Sequence, residues 1–293
     1  TVSLPGITGN STDDDIVAYD VTNGTWSVYL DGSDVGLSAT DINAFCVMPD
    51  GSVIFSVDTP NFSLSGLIGG PSGDAFTEND LIRFVPTSTG SNTSGSFEFY
   101  FDGSDVGLSS GSTDIDGVHI SADGSIYVSI AGHANISGLN WVTDEDVLLF
   151  TPTTTGQATT GSWSLHFDGS DIGLGASSAG DIDGFGFNAS NNLLFTPIGA
   201  LSAGSASGAD EDVAEFSGTF GSTTSGSVTI AHDLGNLGVA SSANLDGLHR
   251  SAGGGTTPTA PTADFTGTPL SGNSPLPVAF NDQSTGSVSG FAW

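Results

Sequence analysis

The sequence predicts an all-β protein, and three observations carry this prediction. Apolar and polar residues alternate with a period of two in many short segments. Asp-Gly turns and loops rich in Gly, Ser and Thr separate these segments. No stretch has the helical period of an amphipathic helix. We therefore expect antiparallel sheets joined by short turns.

An internal repeat organises these segments. The signal Asp-apolar-x-x-aromatic recurs at separations of 65, 66 and 66 residues, starting at Asp15, Asp80, Asp146 and Asp212. Each unit holds four strand-like segments, which in one unit are residues 116–121, 125–130, 146–151 and 162–167. Four-stranded units repeated at a constant period are typical of a β-propeller, in which radial repetition leaves only short sheet edges. We therefore expect a four-bladed β-propeller over residues 1–250.

The two ends of this region are expected to share one blade. The fourth unit supplies a first strand at 245–250 and stops before the second strand. Residues 2–6 (VSLPG) match the second-strand sequence at 128–132 (VSIAG), and strands at 15–19 and 25–30 follow. One blade would then take one strand from the end of the chain and three from its beginning, which closes the ring.

The pattern changes after Arg250. Residues 251–262 are rich in Gly, Thr and Pro and read as a flexible linker. The signals ADFTGTP at 263–269, PLPVAFNDQS at 275–284 and GSVSGFAW at 286–293 resemble the opening strands of a PKD-type immunoglobulin-like domain. About 30 residues are too few for the core of a sandwich. Either the domain continues beyond Trp293, or these partial sandwich strands pack against something else.

The charge of the chain is extreme. It has 33 acidic residues against two basic residues, Arg83 and Arg250, and a net charge of -31. This excludes nucleic acid as a partner, because phosphate binding needs a basic surface. No apolar run reaches the length of a membrane span, and the lone Cys46 excludes an internal disulfide framework. Such a chain repels itself unless cations neutralise it. One interpretation is that the charge keeps the protein soluble in a salty or exposed habitat. The other is that the carboxylates bind metal ions.

Three acidic motifs recur along the repeat, with substitutions in some copies: residues 233–236 read DLGN, 41–43 read DIN and 244–246 read NLD. Asp-Gly-Ser-Asp follows the fourth strand, Asp-x-Asp starts the first, and an acidic pair or triplet starts the third. Because antiparallel strands alternate in direction, these three positions share one face. Crowded carboxylates favour a counter-ion, and oxygen ligands suit Ca²⁺ better than a transition metal. We therefore expect Ca²⁺ ligands among Asp31, Asp34, Asp41, Asp102, Asp105, Asp114, Asp116, Asp144, Asp146, Asp168, Asp171, Asp181, Asp183, Asp210, Asp212 and Asp246.

An alternative interpretation is that these aspartates cap turns by accepting hydrogen bonds from backbone N–H groups. Both interpretations can hold if the carboxylates of one motif divide the two roles. The histidines are scattered. His119 and His249 occupy the same repeat position as Cys46, which we interpret as interior packing.

The ordered set of three motifs resembles a β-propeller repeat of large secreted or surface-attached bacterial proteins, in which PKD-like modules often lie nearby. The resemblance covers residues 1–250 and implies an extracellular or cell-surface location. It implies no activity.

The carboxylates are near-copies around a pseudo-fourfold ring, so we expect equivalent pKa values. A glycosidase needs carboxylates in different environments, and the sequence has no nucleophile elbow, phosphate loop or zinc signature. We therefore expect a non-enzymatic structural protein, a calcium-stabilised building block of a surface layer or filament that self-assembles through its C-terminal strands. One alternative is a secreted adhesive module that binds a glycan or protein through loops 58–79, 131–143 and 199–209. Another is a glycan-cleaving hydrolase.

Overall fold

A computed structural model describes residues 2–176, 180–250, 265–268 and 279–282. These residues form antiparallel β-sheets joined by turns and short 3-10 segments, so the predicted all-β class is confirmed. Among them there is no helix with the length and hydropathy of a membrane span.

The strands follow one another in a repeating order. The first pair is β1 (Ile16–Asp20) and β2 (Thr25–Leu30). The next six strands are β3 (Ile42–Val47), β4 (Val53–Val57), β5 (Phe62–Ser63), β6 (Ala75–Phe76), β7 (Leu81–Ser88) and β8 (Ser94–Phe101). They are followed by β9 (Ile115–Ile120), β10 (Ile126–Ile130), β11 (Ala134–Ile136), β12 (Asn140–Val142), β13 (Val147–Thr154) and β14 (Thr160–Phe167). The last set before Arg250 is β15 (Ile182–Phe187), β16 (Leu193–Pro197), β17 (Leu201–Ala203), β18 (Ala206–Gly208), β19 (Val213–Thr219) and β20 (Ser225–His232).

Three sheets have four strands each, in the orders β3-β4-β7-β8, β9-β10-β13-β14 and β15-β16-β19-β20. The pairs β5–β6, β11–β12 and β17–β18 are small hairpins inserted between the second and third strands of these sheets. Each sheet is therefore a four-stranded meander, as the repeat predicts. The segments 58–79, 131–143 and 199–209, which we expected to be loops, contain the inserted hairpins.

Short 3-10 segments follow the last strand of each unit, at Gly32–Val35, Ser104–Val106, Gly169–Ile172, Leu174–Ala176 and Gly235–Leu237. The Asp-Gly-Ser-Asp segments end at a glycine in the left-handed region, for example Gly173 with a φ of 87°. A side chain is strained in that conformation, which explains why the motif carries glycine there.

The cores lie between neighbouring sheets. One cluster joins Ile54 and Phe101 of the first sheet to Val118 and Phe150 of the second. Another joins Phe167 of the second sheet to Phe195 of the third. Each sheet thus buries both of its faces, which accounts for the long apolar runs in its central strands.

The first strands of the sheets lie against one another. Strand β9 contacts both β3 and β15. A Cβ built at Gly184 of β15 would lie 2.8 Å from the Cα of Gly247, and one at Gly247 would lie 2.7 Å from Cδ1 of Phe45 in β3. The segment 245–250 therefore lies between β15 and β3, and glycine permits these close approaches.

The two ends of the described repeat region pack together. Leu4 belongs to the same core cluster as Leu194, Val213 and Leu234, and Trp26 and Leu248 pack against that cluster. The Nε1 of Trp26 donates to the carbonyl of Leu237 at 3.0 Å. Residues near Thr1 and near Arg250 thus share one core.

The structure differs from the prediction in the strands expected at 2–6 and 245–250, because neither segment forms a strand ladder. Ile7 donates from its backbone to the carbonyl of Leu4, and Val2 pairs with Ser11. Pro5 lacks an N–H group and Gly6 has a φ of 87°, so residues 2–11 turn back on themselves. Segment 245–250 consequently has no strand ladder with residues 2–6, and β1–β2 forms a two-stranded sheet.

Beyond Arg250, β21 (Phe265–Thr268) pairs with β22 (Ala279–Asp282) in antiparallel register. The predicted linker at 251–262 lies outside the described residues. The same holds for 263–293 apart from these two strands, so the immunoglobulin-like segment remains a prediction.

Candidate metal centre

The three acidic motifs meet at one end of the sheets. Ile182 donates from its backbone to the carbonyl of Asp144 at 3.1 Å, which joins the start of β15 to the start of β13. Gly169 donates from its backbone to Oδ1 of Asp146 at 3.2 Å, which joins the end of β14 to the same place. The alternation of strand directions therefore gathers the carboxylates as expected.

Eight polar residues stand where the first strands begin. Each of the four chain segments, β3, β9, β15 and 245–250, contributes two of them, one just before the segment or strand and one near its start. We call them the carboxylate cluster: Asp41, Asn43, Asp114, Asp116, Asp181, Asp183, Asn244 and Asp246.

A β-bulge occurs at the same position in each of the three sheets. The ladder of β3 with β4 steps from Ile42 to Ala44, that of β9 with β10 from Ile115 to Gly117, and that of β15 with β16 from Ile182 to Gly184. The residues left out of the ladders are Asn43, Asp116 and Asp183. Bulges re-aim side chains and are common beside functional sites, and here the re-aimed side chains are cluster members.

Two asparagines donate hydrogen bonds to cluster carboxylates of neighbouring chain segments. The Nδ2 of Asn43 donates to Oδ1 of Asp116 at 2.8 Å. The Nδ2 of Asn244 donates to Oδ1 of Asp246 at 2.8 Å and also to Oδ2 of Asp183. These bonds show that the cluster side chains converge on one another.

Three of the cluster carboxylates are buried, and their burial and mutual repulsion raise their pKa values. Asp116 and Asp183 are each 5% exposed and Asp181 is 7% exposed. Burial, followed by the negative charges of Asp116, Asp144, Asp183 and Glu145, raises the pKa of Asp181 to about 8. Burial first, and the charge of Asp246 second, raises the pKa of Asp183 to about 7, against the opposing effect of the Asn244 amide.

The same causes act with different strength on the neighbouring strand. Burial raises the pKa of Asp116 to about 7, with the Asn43 amide opposing and the charges of Asp183, Asp114 and Asp144 adding to the rise. Burial and the charges of Glu78 and Asp58 raise the pKa of Asp114 to about 6. The pKa values therefore agree at one repeat position, that of Asp116 and Asp183, and differ at the position of Asp114 and Asp181, where burial and the neighbouring charges differ.

Some cluster oxygens are buried without a hydrogen-bond partner. Oδ1 of Asp181 and Oδ1 of Asp114 are among these atoms, and Oε2 of Glu78 is another. A buried carboxylate oxygen without a partner is costly, and native structures normally satisfy such groups with a donor, a proton or a cation.

The protein has little positive charge with which to satisfy them. Arg83 is engaged by Asp50 and Glu98, and Arg250 is exposed. At the margin of the cluster, Nε2 of His133 lies 3.9 Å from Oδ2 of Asp144. Neither arginine of the chain is therefore placed to neutralise the cluster.

The other predicted ligands hold turns in the structure. Asp34, Asp105 and Asp171 accept the backbone N–H groups of Thr93, Thr159 and Thr224 at 2.8 to 2.9 Å. Each bond crosses from one repeat unit to the next. In the same turns Asp31, Asp102 and Asp168 accept hydrogen bonds from the hydroxyls of Ser33, Ser104 and Ser170. The Asp-Gly-Ser-Asp motif thus fastens neighbouring units together.

The third residue of the acidic triplet also caps turns. Asp146 accepts the N–H groups of Thr143 and Gly169, and Asp212 accepts those of Ala209 and Leu234. Of the two remaining predicted ligands, Asp144 lies at the cluster margin and Asp210 lies beside Glu211. The turn-capping interpretation is therefore confirmed for these aspartates, whereas metal binding by the cluster aspartates stays a prediction.

Sequence reasoning omitted several residues that belong with the cluster. Asn43 and Asn244 occupy positions at which the other units carry aspartate. Alignment of the repeat units would therefore have identified both residues. Glu78 and Asp58 raise the pKa of Asp114, and Asp58 lies in a loop that varies between units, so no repeated signal marks it.

The comparisons with known proteins do not assign the chain to a family. No family model matches the sequence, and no curated protein is similar to it. A solved structure, the extracellular domain of the one-component system BT4673 from B. thetaiotaomicron, is similar at a TM-score of 0.22 and 10% identity. The match covers 84% of this chain and 37% of the length of that one. A similarity of this size supports no conclusion about fold or function.

Proposed function

We propose that residues 1–250 form a four-bladed β-propeller whose carboxylate cluster binds Ca²⁺, and that the protein is a non-enzymatic structural module located outside the cell. The single observation that carries the calcium site is the buried Oδ1 of Asp181, which has no partner among neighbouring carboxylates.

The ring closure is supported by a contact that repeats at the two ends. Nε1 of Trp163 donates to the carbonyl of Val106 at 3.0 Å, which joins one unit to the turn of the preceding unit. Nε1 of Trp26 makes the same contact with Leu237 in the corresponding turn of the last unit. The first unit thus contacts the last unit through the same type of hydrogen bond that joins neighbouring units inside the chain. This is what a closed ring requires.

The choice of Ca²⁺ follows from the donor set. The cluster offers carboxylate and amide oxygens at the meeting point of four chain segments, and Ca²⁺ takes six to eight such ligands in flexible geometry. A chain with a net charge of -31 also concentrates divalent cations around itself. Weak sites of extracellular modules work at the calcium concentrations found outside cells, which fits a site whose carboxylates bind protons readily.

A structural role is supported by the position of the proposed calcium site between the repeat units. The cluster joins strands that are far apart in sequence, so a bound cation would stabilise the contacts among all four units. The C-terminal pair β21–β22 is a two-stranded ladder, and such ladders are marginal alone. Added strands from another copy of the chain would complete it, which is the basis for proposing assembly into a layer or filament.

Calcium dependence of the thermal midpoint tests the proposal. Protein freed of metal on a chelating resin is melted with Ca²⁺, with Mg²⁺ and with neither. We expect Ca²⁺ to raise the midpoint by several degrees and Mg²⁺ to raise it less, because Mg²⁺ demands stricter geometry. A thermal midpoint that does not change with Ca²⁺ would contradict the proposed calcium site. Electron microscopy of the calcium-loaded protein then tests assembly: filaments or sheets support it, and isolated discs at high concentration contradict it.

One observation favours a second candidate, a glycan- or protein-binding module. Trp141 in hairpin β11–β12 is 65% exposed. Its ring is nearly parallel to that of His133, with centroids 6.2 Å apart and an interplanar angle of 15°. An exposed, oriented aromatic face in a loop that varies between units is a typical recognition feature.

A further inference from the structure

A second group of potential ligands lies where the first strands end. Cys46 of β3, His119 of β9 and His249 of segment 245–250 each offer one ligand atom, and these atoms all lie within 4.8 Å of one another. We call them the Cys/His cluster. The three residues occupy one repeat position, and Gly186 of β15 occupies it in the remaining unit. The structure thus brings side chains from three different units to one point.

The distances suit coordination. Sγ of Cys46 lies 3.7 Å from Nδ1 of His249. Two ligands of a tetrahedral zinc ion, at bond lengths of about 2.3 Å for sulfur and 2.05 Å for nitrogen, lie about 3.6 Å apart. The approach of Cys46 and His249 therefore needs almost no adjustment to accept an ion.

The surroundings also suit a thiolate ligand. The backbone N–H of Ile120 donates to Sγ of Cys46 at 3.4 Å. Hydrogen bonds of this kind orient and tune metal-bound sulfur. Cys46 is buried, whereas His119 and His249 are partly exposed, so an ion can reach the imidazoles from solvent. The ring of Phe187 lies 5.1 Å from that of His119 and forms part of an apolar shell.

The protonation states leave the imidazoles ready to bind. Burial lowers the pKa of His119 and of His249 to about 4, so both rings are neutral near pH 7 and each has a nitrogen lone pair. Burial raises the pKa of the Cys46 thiol to about 11, so an arriving cation has to displace the thiol proton to solvent.

This cluster is separate from the carboxylate cluster. His119 follows Asp116 by three residues in β9, which corresponds to about 10 Å along a strand. The carboxylate cluster offers hard oxygen ligands, whereas the Cys/His cluster offers sulfur and nitrogen, which prefer different metals.

We propose that Cys46, His119 and His249 bind one borderline or soft d-block cation, Zn²⁺ or copper, through Sγ and one nitrogen of each ring. Three protein ligands leave a fourth position for water or a small exogenous ligand. The proposed site adds a role to the interior packing expected from the sequence, which the burial of Cys46 confirms. It does not depend on calcium binding at the other cluster.

Metal titration of the full chain tests this site. The protein is freed of metal, reduced, and supplied with excess Ca²⁺ to occupy oxygen sites. Co²⁺ is then added as a spectroscopic substitute for Zn²⁺. Cys46 is the only cysteine of the chain, so any sulfur-to-cobalt charge-transfer band reports on this site alone. We expect one such band that saturates at one equivalent, whereas cobalt binding without a thiolate band, or no binding, would overturn the proposal.

Competition distinguishes the two metals. The site is assigned to zinc if Zn²⁺ displaces the bound Co²⁺ at a lower free metal concentration than Cu⁺ does. It is assigned to copper if Cu⁺ displaces the bound Co²⁺ at the lower concentration. Both results support the proposal. Failure of the calcium melts described above would leave this titration unaffected, so the two sites are tested independently.

Variants locate the ligands. Cys46→Ser should abolish the band, and His249→Gln should weaken cobalt binding by at least about 100-fold, more than typical loss of an outer-shell partner. Because Cys46 is buried and its replacement could unfold the protein, His119→Gln provides a second test at a partly exposed position. His232→Gln, at an exposed histidine of β20, is the matched control and should leave the titration unchanged. Unchanged binding in His119→Gln and His249→Gln would contradict the assignment.

Discussion

The indole Nε1 of Trp26 donates a hydrogen bond to the carbonyl of Leu237 at 3.0 Å, although 211 residues separate them in sequence. The same bond joins Trp163 to Val106 over 57 residues. Because the first bond links the two ends of the repeat region, it serves as a direct probe of whether the ring is closed in solution.

Trp26→Phe should lower the free energy of unfolding by about 1–3 kcal/mol, since it leaves the Leu237 carbonyl without its donor and reduces the buried ring. Trp163→Phe is the matched control and should cost a similar amount. Chemical denaturation measures both. A loss in Trp163→Phe with none in Trp26→Phe would mean that the ends of the chain separate in solution.

Asp105→Ala should lower the free energy of unfolding by about 1 kcal/mol, because the Asp105 carboxylate accepts the backbone N–H of Thr159 in the next unit at 2.9 Å. Asp74→Ala, at an exposed loop position, should have almost no effect. Equal denaturation curves for the two variants would show that the inter-unit bond adds nothing to stability.

The stability of the metal-free protein should fall as pH rises from about 4 to about 8. The folded state raises the pKa of Asp116 and Asp183 to about 7 and of Asp181 to about 8, whereas an unfolded aspartate has a pKa near 3.9. The folded state therefore binds more protons in this window, and its advantage is fully present below pH 4 and is lost as these groups ionise.

The loss should reach several kcal/mol, because each pKa unit corresponds to about 1.4 kcal/mol. Thermal melts across this pH range measure it. Saturating Ca²⁺ should oppose the fall, since it binds the ionised carboxylates. A metal-free midpoint that rises between pH 5 and 8 would contradict this assignment of the buried charges.

Asp181→Asn should have opposite effects in the two metal states. Without metal at pH 8 it removes a buried negative charge and should raise the thermal midpoint. With saturating Ca²⁺ it removes a ligand, so the gain from calcium should shrink markedly. Asp123→Asn, in an exposed turn far along β9–β10 from the cluster, should leave the calcium gain intact. An unchanged calcium gain in Asp181→Asn would exclude this aspartate as a ligand.

The binding alternative predicts that Trp141→Ala loses ligand binding without losing stability, because the Trp141 side chain is largely exposed. A glycan array probed with wild-type protein and variant measures this. Exposed Val21, which lies on the β1–β2 turn, provides the control Val21→Ala. Identical array profiles for wild type and Trp141→Ala would exclude the surface around Trp141 as the binding site.

Local sequence was sufficient to predict the strands and their repeat. The alternating pattern marks β8, for example, because Phe97, Phe99 and Phe101 are buried on one face. The Asp-Gly-Ser-Asp turns recur with the glycine that their left-handed backbone requires. The strand at 2–6 could not be predicted in the same way. Its resemblance to 128–132 conceals Pro5, whose missing N–H group and following turn prevent a ladder.

Only the tertiary structure decided which of the repeated aspartates share a site. Asp105 and Asp116 look alike as sequence signals, yet one accepts a backbone N–H across a unit boundary and the other is buried among carboxylates. Likewise Cys46 and His249 are 203 residues apart and become neighbours only through close approach of the first strands. A repeat specifies each unit by local pattern, whereas a site depends on the few substitutions at equivalent positions and on how closely the units approach.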